Sequence, residues 1–192
     1  MLMVNSNTVV LSCLTIILQG CAAVGFLESN NFDTVVGQGF ELEKSGREIA
    51  AESRYLKALQ LAKESGDKRD IAYAKFYLGS YYRNPNAYNP KKSIRYLNES
   101  LQFYANDKAA PIALASYTAL TEVYGKEGDE ESACTNLRKA QKIYIQKIVL
   151  NSDYSPNGEG YKNFFNPVRK KHPFKKFDEL IDYYNQELGC RL

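Results

Sequence analysis

The side chains with most chemistry to offer in this 192-residue chain are four cysteines, a single histidine and a basic run near the C-terminus. Cys13, Cys21, Cys134 and Cys190 contain no CxxC pair. One imidazole, with no cluster of cysteines and carboxylates around it, leaves little from which to build a metal site. His172 stands in a basic stretch with no evident nucleophile or orienting acid, so general acid–base or nucleophilic catalysis lacks its partners. No phosphate-cradling or dinucleotide-binding glycine motif occurs. The carboxylates Glu130 and Glu131 fall in a first helical turn, where the helix dipole favours them. These observations predict a protein that is not an enzyme and takes no metal or cofactor. Residues 161–177 hold Lys162, Arg169, Lys170, Lys171, Lys175 and Lys176 interleaved with aromatics and no acid. Such a stretch could meet anionic lipid headgroups or be a solvated face. A net charge of +3 gives no case for a nucleic-acid partner.

What positions Cys21 is the segment before it. Residues 9–18 form an apolar run broken by Ser12, Cys13 and Thr15. A membrane span needs about 20 such residues, so this run has the length of a signal-peptide core. It ends in Leu18-Gln19-Gly20-Cys21, which resembles the bacterial lipobox. The resemblance implies that residues 1–20 are a lipoprotein signal peptide, and that Cys21 is acylated and becomes the new N-terminus. It also implies that residues 21–31 tether the fold to a bilayer. Ala22 after the cysteine, rather than Asp, implies the outer membrane, facing the periplasm, in a Gram-negative cell. Several acyl chains anchor stably where one does not. Residues 1–20 carry no Lys or Arg, a departure from the basic start of such leaders. Either the start codon lies upstream or the leader is atypically neutral.

From residue 32 the pattern turns helical. Asp33 is placed to cap a helix over 33–44. Further helices are expected over 47–64, over 67–83 after Asp67, over 90–105 after Asn89-Pro90, over 111–125, and over 129–150 after Asp129. Gly39, Gly79 and Thr121, one in the middle of each first helix, repeat at 40 and 42 residues. Small residues follow at Ala51 and Ala58, at Ser93 and Ser100, and at Ala133 and Ala140. The middle set is displaced by two because the loop at 84–89 is longer. Antiparallel helices approach closely only where the facing stripe is small.

Bulky residues stand in register with that stripe: Tyr55, Leu97 and Leu137 before the last small position, and Leu42, Tyr82 and Tyr124 after the first. With 55-YLKALQLA-62 and Leu78-Gly79, the set resembles the tetratricopeptide repeat family, although the period exceeds the usual 34 or so. Gln38 and Lys75 depart from large apolar residues expected there. The resemblance implies an all-α fold: an α-solenoid of three tetratricopeptide-like helix pairs over 32–150. Another α-solenoid or a plain helical bundle satisfies the same stripe. Residues 151–192 read as a loop, the basic stretch and a capping helix over 173–188, with Phe174, Phe177, Ile181, Tyr184 and Leu188 on its inner face.

The family's groove is lined by the first helix of each pair and takes an extended or helical peptide. Carried over by position, that nominates Val36 and Phe40, then Tyr73, Phe76, Ser80 and Arg83, then Thr118 and Glu122. The implied function is a lipid-anchored adaptor binding a protein or peptide partner in an envelope assembly, in the manner of a pilotin. A structural subunit held by its convex face or cap is the alternative. With Cys21 acylated, Cys134 and Cys190 form an even set where disulfides persist, and a bond between them is expected over two buried thiols.

Overall fold

A computed structural model describes residues 28–104, 110–149 and 177–190. Among the described residues there are seven α-helices: α1 (Phe32–Lys44), α2 (Glu48–Ser65), α3 (Lys68–Tyr81), α4 (Pro90–Tyr104), α5 (Ala110–Lys126), α6 (Glu130–Ile143) and α7 (Phe177–Leu188). Their starts are written in short polar side chains that satisfy the first orphan backbone N–H groups. Asp67 accepts from the N–H groups of Arg69 and Asp70 at 2.8 and 3.2 Å, Asn89 from that of Lys92 at 3.0 Å, and Asp129 from that of Ser132 at 3.0 Å. The first helix differs from expectation. Asn31 is its cap, accepting from the backbone and hydroxyl of Thr34 at 2.9 and 3.0 Å, while Asp33 sits inside the first turn.

Two helices also end differently. α3 stops at Tyr81 rather than residue 83, because Pro85 disfavours helical backbone at Asn84. A short 3-10 turn (Pro85–Ala87) follows. α6 ends at Ile143 and passes into a π-helix (Tyr144–Val149). Residues 1–27, the basic run up to 176 and position 150 lie outside the described residues, and with them the signal peptide, Cys21, His172 and Phe174.

α1 packs on α2, α3 on α4 and α5 on α6, and each pair packs on the next through α2–α3 and α4–α5. The first helices also touch in succession, α1 with α3 and α3 with α5. This is repeat-like packing of helix pairs, and the small stripe is its physical basis. All nine stripe residues are buried. A Cβ on Gly39 would lie 2.6 Å from the Tyr55 ring, and one on Gly79 would lie 2.6 Å from Leu97 Cγ and 3.0 Å from the Leu97 backbone nitrogen. Two polar stripe residues bond to the facing helix: Ser93 Oγ donates to the Gly79 carbonyl at 2.7 Å, and Thr121 Oγ1 to that of Ala133 at 3.4 Å. Lys75, in place of an apolar residue, reaches Glu99 on α4 at 2.9 Å.

Gly79→Ala is therefore expected to destabilise by about 1–3 kcal/mol, since a backbone atom is among those that must move. Gly37, also inside α1, has nothing within 4 Å of its Cβ direction. Gly37→Ala is expected to stabilise by about 0.5–1 kcal/mol through helix propensity alone. Paired urea titrations check both signs; a stabilising Gly79→Ala would contradict the close approach of α3 and α4.

The joint between the first and second pairs is built of tyrosines. Ring centroids follow one another from Phe32 to Tyr73 (6.4 Å), Tyr77 (5.0 Å), Tyr55 (5.7 Å), Tyr81 (5.8 Å), Tyr82 (5.1 Å) and Tyr96 (6.0 Å). Three of their hydroxyls donate to acceptors in the first pair, as buried phenols usually find partners. Tyr55 donates to Glu43 at 2.6 Å, Tyr81 to the Glu48 carbonyl at 2.9 Å, and Tyr82 to Glu52.

At the far end α7 covers the third pair. Leu180, Ile181 and Tyr184 are buried with Leu114, Leu137, Ala140 and Tyr144, and Leu188 packs at their edge. A disulfide joins Cys134 on α6 to Cys190 just past α7, with Cα atoms 5.4 Å apart.

Candidate functional site

The nominated groove residues lie on α1, α3, the turn after α3 and α5, and half of them are interior. Val36 is buried against Ala58, Phe32 and Tyr77. Phe76 is only 6% exposed, packed with Ala72, Leu97, Leu101 and Ile112. Thr118 is buried, its Oγ1 donating to the Leu114 carbonyl one turn back at 2.9 Å. Arg83 is buried as well. These four hold the fold together and are not open to a partner.

The reason is the number of neighbours. α3 is flanked by α2, α4 and α5 and also touches α1, so its uncovered stripe is narrower than one helix face. It runs through Tyr73, Tyr77 and Ser80, all half-buried. Tyr77 was missing from the nominated set. It lies one turn beyond Tyr73, to whose hydroxyl it donates at 3.3 Å, and a register of i, i+4, i+7 starting at Tyr73 would have found it. On α1, Phe40 is 40% exposed. The least covered positions are thus Phe40 on α1 and the half-buried Tyr73 and Ser80 on α3, with Tyr77 between them packed against the cores on either side.

Arg83 and Glu122 form an ion pair at 2.5 Å between the turn after α3 and the C-terminal part of α5, with Lys126 on the other carboxylate oxygen at 2.8 Å. Burial alone would raise the Glu122 pKa; Arg83 and Lys126 together overcome it and hold the carboxyl down at about 2. Glu43 shows the opposite balance. Burial raises its pKa, and the bonds from Tyr55 and Asn84 only partly offset that. Burial likewise pushes the Tyr55 and Tyr77 phenols up, so both stay protonated donors.

Among the described residues no group of three His, Cys, Asp or Glu side chains is placed to hold a metal ion. Among them, too, no helix is long and apolar enough to cross a membrane. The surface offers apolar contact, aromatic faces and hydroxyl hydrogen bonds, which suit recognition of a polypeptide. The chain matches no protein-family model, no curated protein and no solved structure.

Proposed function

We propose that this protein is a tetratricopeptide-like scaffold, held to the outer membrane by an acylated Cys21, that binds a segment of an envelope protein along α1, α3 and α5. What carries the reading is the succession of first helices, α1 on α3 on α5, with Phe40 exposed and Tyr73 and Ser80 partly exposed along them. Half-buried tyrosines give large, rigid contact area at low entropic cost, the usual make-up of a binding hot spot. The lipobox-like ending at Cys21 supplies the tether, and intact-mass measurement of protein from its native host checks it. Loss of residues 1–20 with added acyl mass is the expected result; a retained Met1 on mature protein would refute it.

The second reading, a structural subunit held by its convex face, is favoured by a separate observation. Ile49 and Leu56, two turns apart on α2, are 87% and 42% exposed. Cross-linked capture from envelopes separates the two. Phe40→Ala with Tyr73→Ala is expected to weaken capture tenfold or more, about 1.4 kcal/mol, while Ile49→Ala with Leu56→Ala leaves it unchanged. The reverse pattern would move the partner to the convex face.

A further inference from the structure

The cap is fixed at one end by chemistry that solvent redox conditions can undo. Leu188 packs on Gly125 and Cys190 is bonded to Cys134, so the C-terminal end of α7 lies at the turn between α5 and α6. Gly189, at φ +62°, makes that bond possible: the left-handed residue ends the helix and turns Cys190 back toward α6. Among the described residues the buried face of α7 holds Leu180, Ile181 and Tyr184, with Tyr183 and Leu188 packed at its edge. A helix of 12 residues is below the length that holds in water alone, so α7 keeps its form by being docked. The disulfide adds a covalent hold to that docking at the end of the helix.

We infer that the Cys134–Cys190 bond is a redox latch: intact, it keeps α7 on the third pair, and when a dithiol reductant opens it, α7 undocks reversibly and uncovers the apolar flank at Leu114, Leu137 and Tyr144. The inference is independent of the partner surface on α1, α3 and α5. A thiolate of the reductant attacks Cys190 Sγ, the S–S bond breaks, and Cys134 leaves as a thiolate that takes a proton from water. The second thiol of the reductant then attacks the mixed disulfide and frees Cys190. Two electrons pass to the protein, and the dithiol ends as its own cyclic disulfide. Both cysteines are less than a tenth exposed, so attack follows fraying of the last turn of α7, the end that carries Cys190.

Hydrogen exchange on the full chain tests this in three forms: oxidised, reduced with dithiothreitol, and with Cys134→Ser and Cys190→Ser together. Amides of α7 are expected to exchange at least tenfold faster in the second and third forms, with those of α3 unchanged and reoxidation restoring the first rate. A fluorescent peptide of residues 177–190 carrying Cys190→Ser should bind the reduced chain saturably and the oxidised chain not at all. Equal exchange of α7 in all three forms would make the bond a passive staple and overturn the latch. Equal acceleration of α3 and α7 would overturn it too, because the bond would then hold the whole stack.

Discussion

Arg83→Ala is expected to cost about 2–5 kcal/mol of folding stability, because it removes one of the two cations on a buried carboxylate and the tie between the second and third pairs. Arg83 bridges the second pair to the third, reaching Glu122 across 39 residues of sequence. Its loss leaves Lys126, on the same helix as Glu122, as the remaining cation at that carboxylate. Replacing both ends at once, Arg83→Met with Glu122→Leu, should restore most of the loss, since two apolar groups of similar volume leave no stranded charge. Chemical denaturation of the two variants decides the matter; equal destabilisation in both would show that packing, not charge, is what the pair supplies.

The pH dependence of the parent follows from the same site, with the sign set by the direction of the shift. Glu122 has a folded pKa of about 2 against an ordinary 4.5. Its stabilisation is therefore complete above about 4.5 and lost as pH falls toward 2. Glu43 is shifted up, so its contribution runs the other way: it is present below the ordinary carboxyl pKa and lost as pH rises through the folded value. Acid titration of the parent should thus show a small gain from Glu43 before the loss from Glu122. Glu43→Gln should abolish the first and leave the second.

Phe76→Ala is the other large effect, expected to cost about 3–5 kcal/mol by opening a cavity among Ala72, Leu97, Leu101 and Ile112. Tyr73→Ala, on the half-buried strip one turn earlier, should cost distinctly less and leave the melting transition cooperative. This ordering assigns Phe76 to the core rather than to the groove for which its position nominates it. A Phe76→Ala protein as stable as the parent would return Phe76 to the partner surface.

The local chemistry of the chain was legible in its residues. Asp67, Asn89-Pro90 and Asp129 announce helix starts through the hydrogen bonds they go on to make. The spacing of Gly39, Gly79 and Thr121 announces where pairs close, because a Cβ at either glycine would meet the facing helix. The two-residue displacement in the second pair also has a structural counterpart. Asn84 donates to Glu43 and Asn86 to Glu48, so the longer loop is fastened to the first pair. What could not be read was how many neighbours each helix has. A period of 3.6 separates an apolar face from a polar one, but does not say that α3 would be covered from four directions. Phe76 and Tyr77 are adjacent and both aromatic; only the third dimension sends one inward and leaves the other half-buried. Arg83 and Glu122 stand 39 residues apart, and their pairing is a long-range fact that no local pattern carries.

The tyrosine joint gives the chain an optical address. The protein has no tryptophan, so its near-ultraviolet circular dichroism arises from tyrosines and the disulfide. Six of its fifteen tyrosines, at 55, 73, 77, 81, 82 and 96, are held ring against ring at one boundary. Rings fixed in close mutual orientation couple strongly, whereas isolated ones on a mobile surface average toward nothing. The near-ultraviolet band therefore carries a large contribution from this seam, while the far-ultraviolet band reports helix content throughout the stack. If the stack comes apart pair by pair, the first signal to fade will date the separation of the first pair from the second, without any label being added.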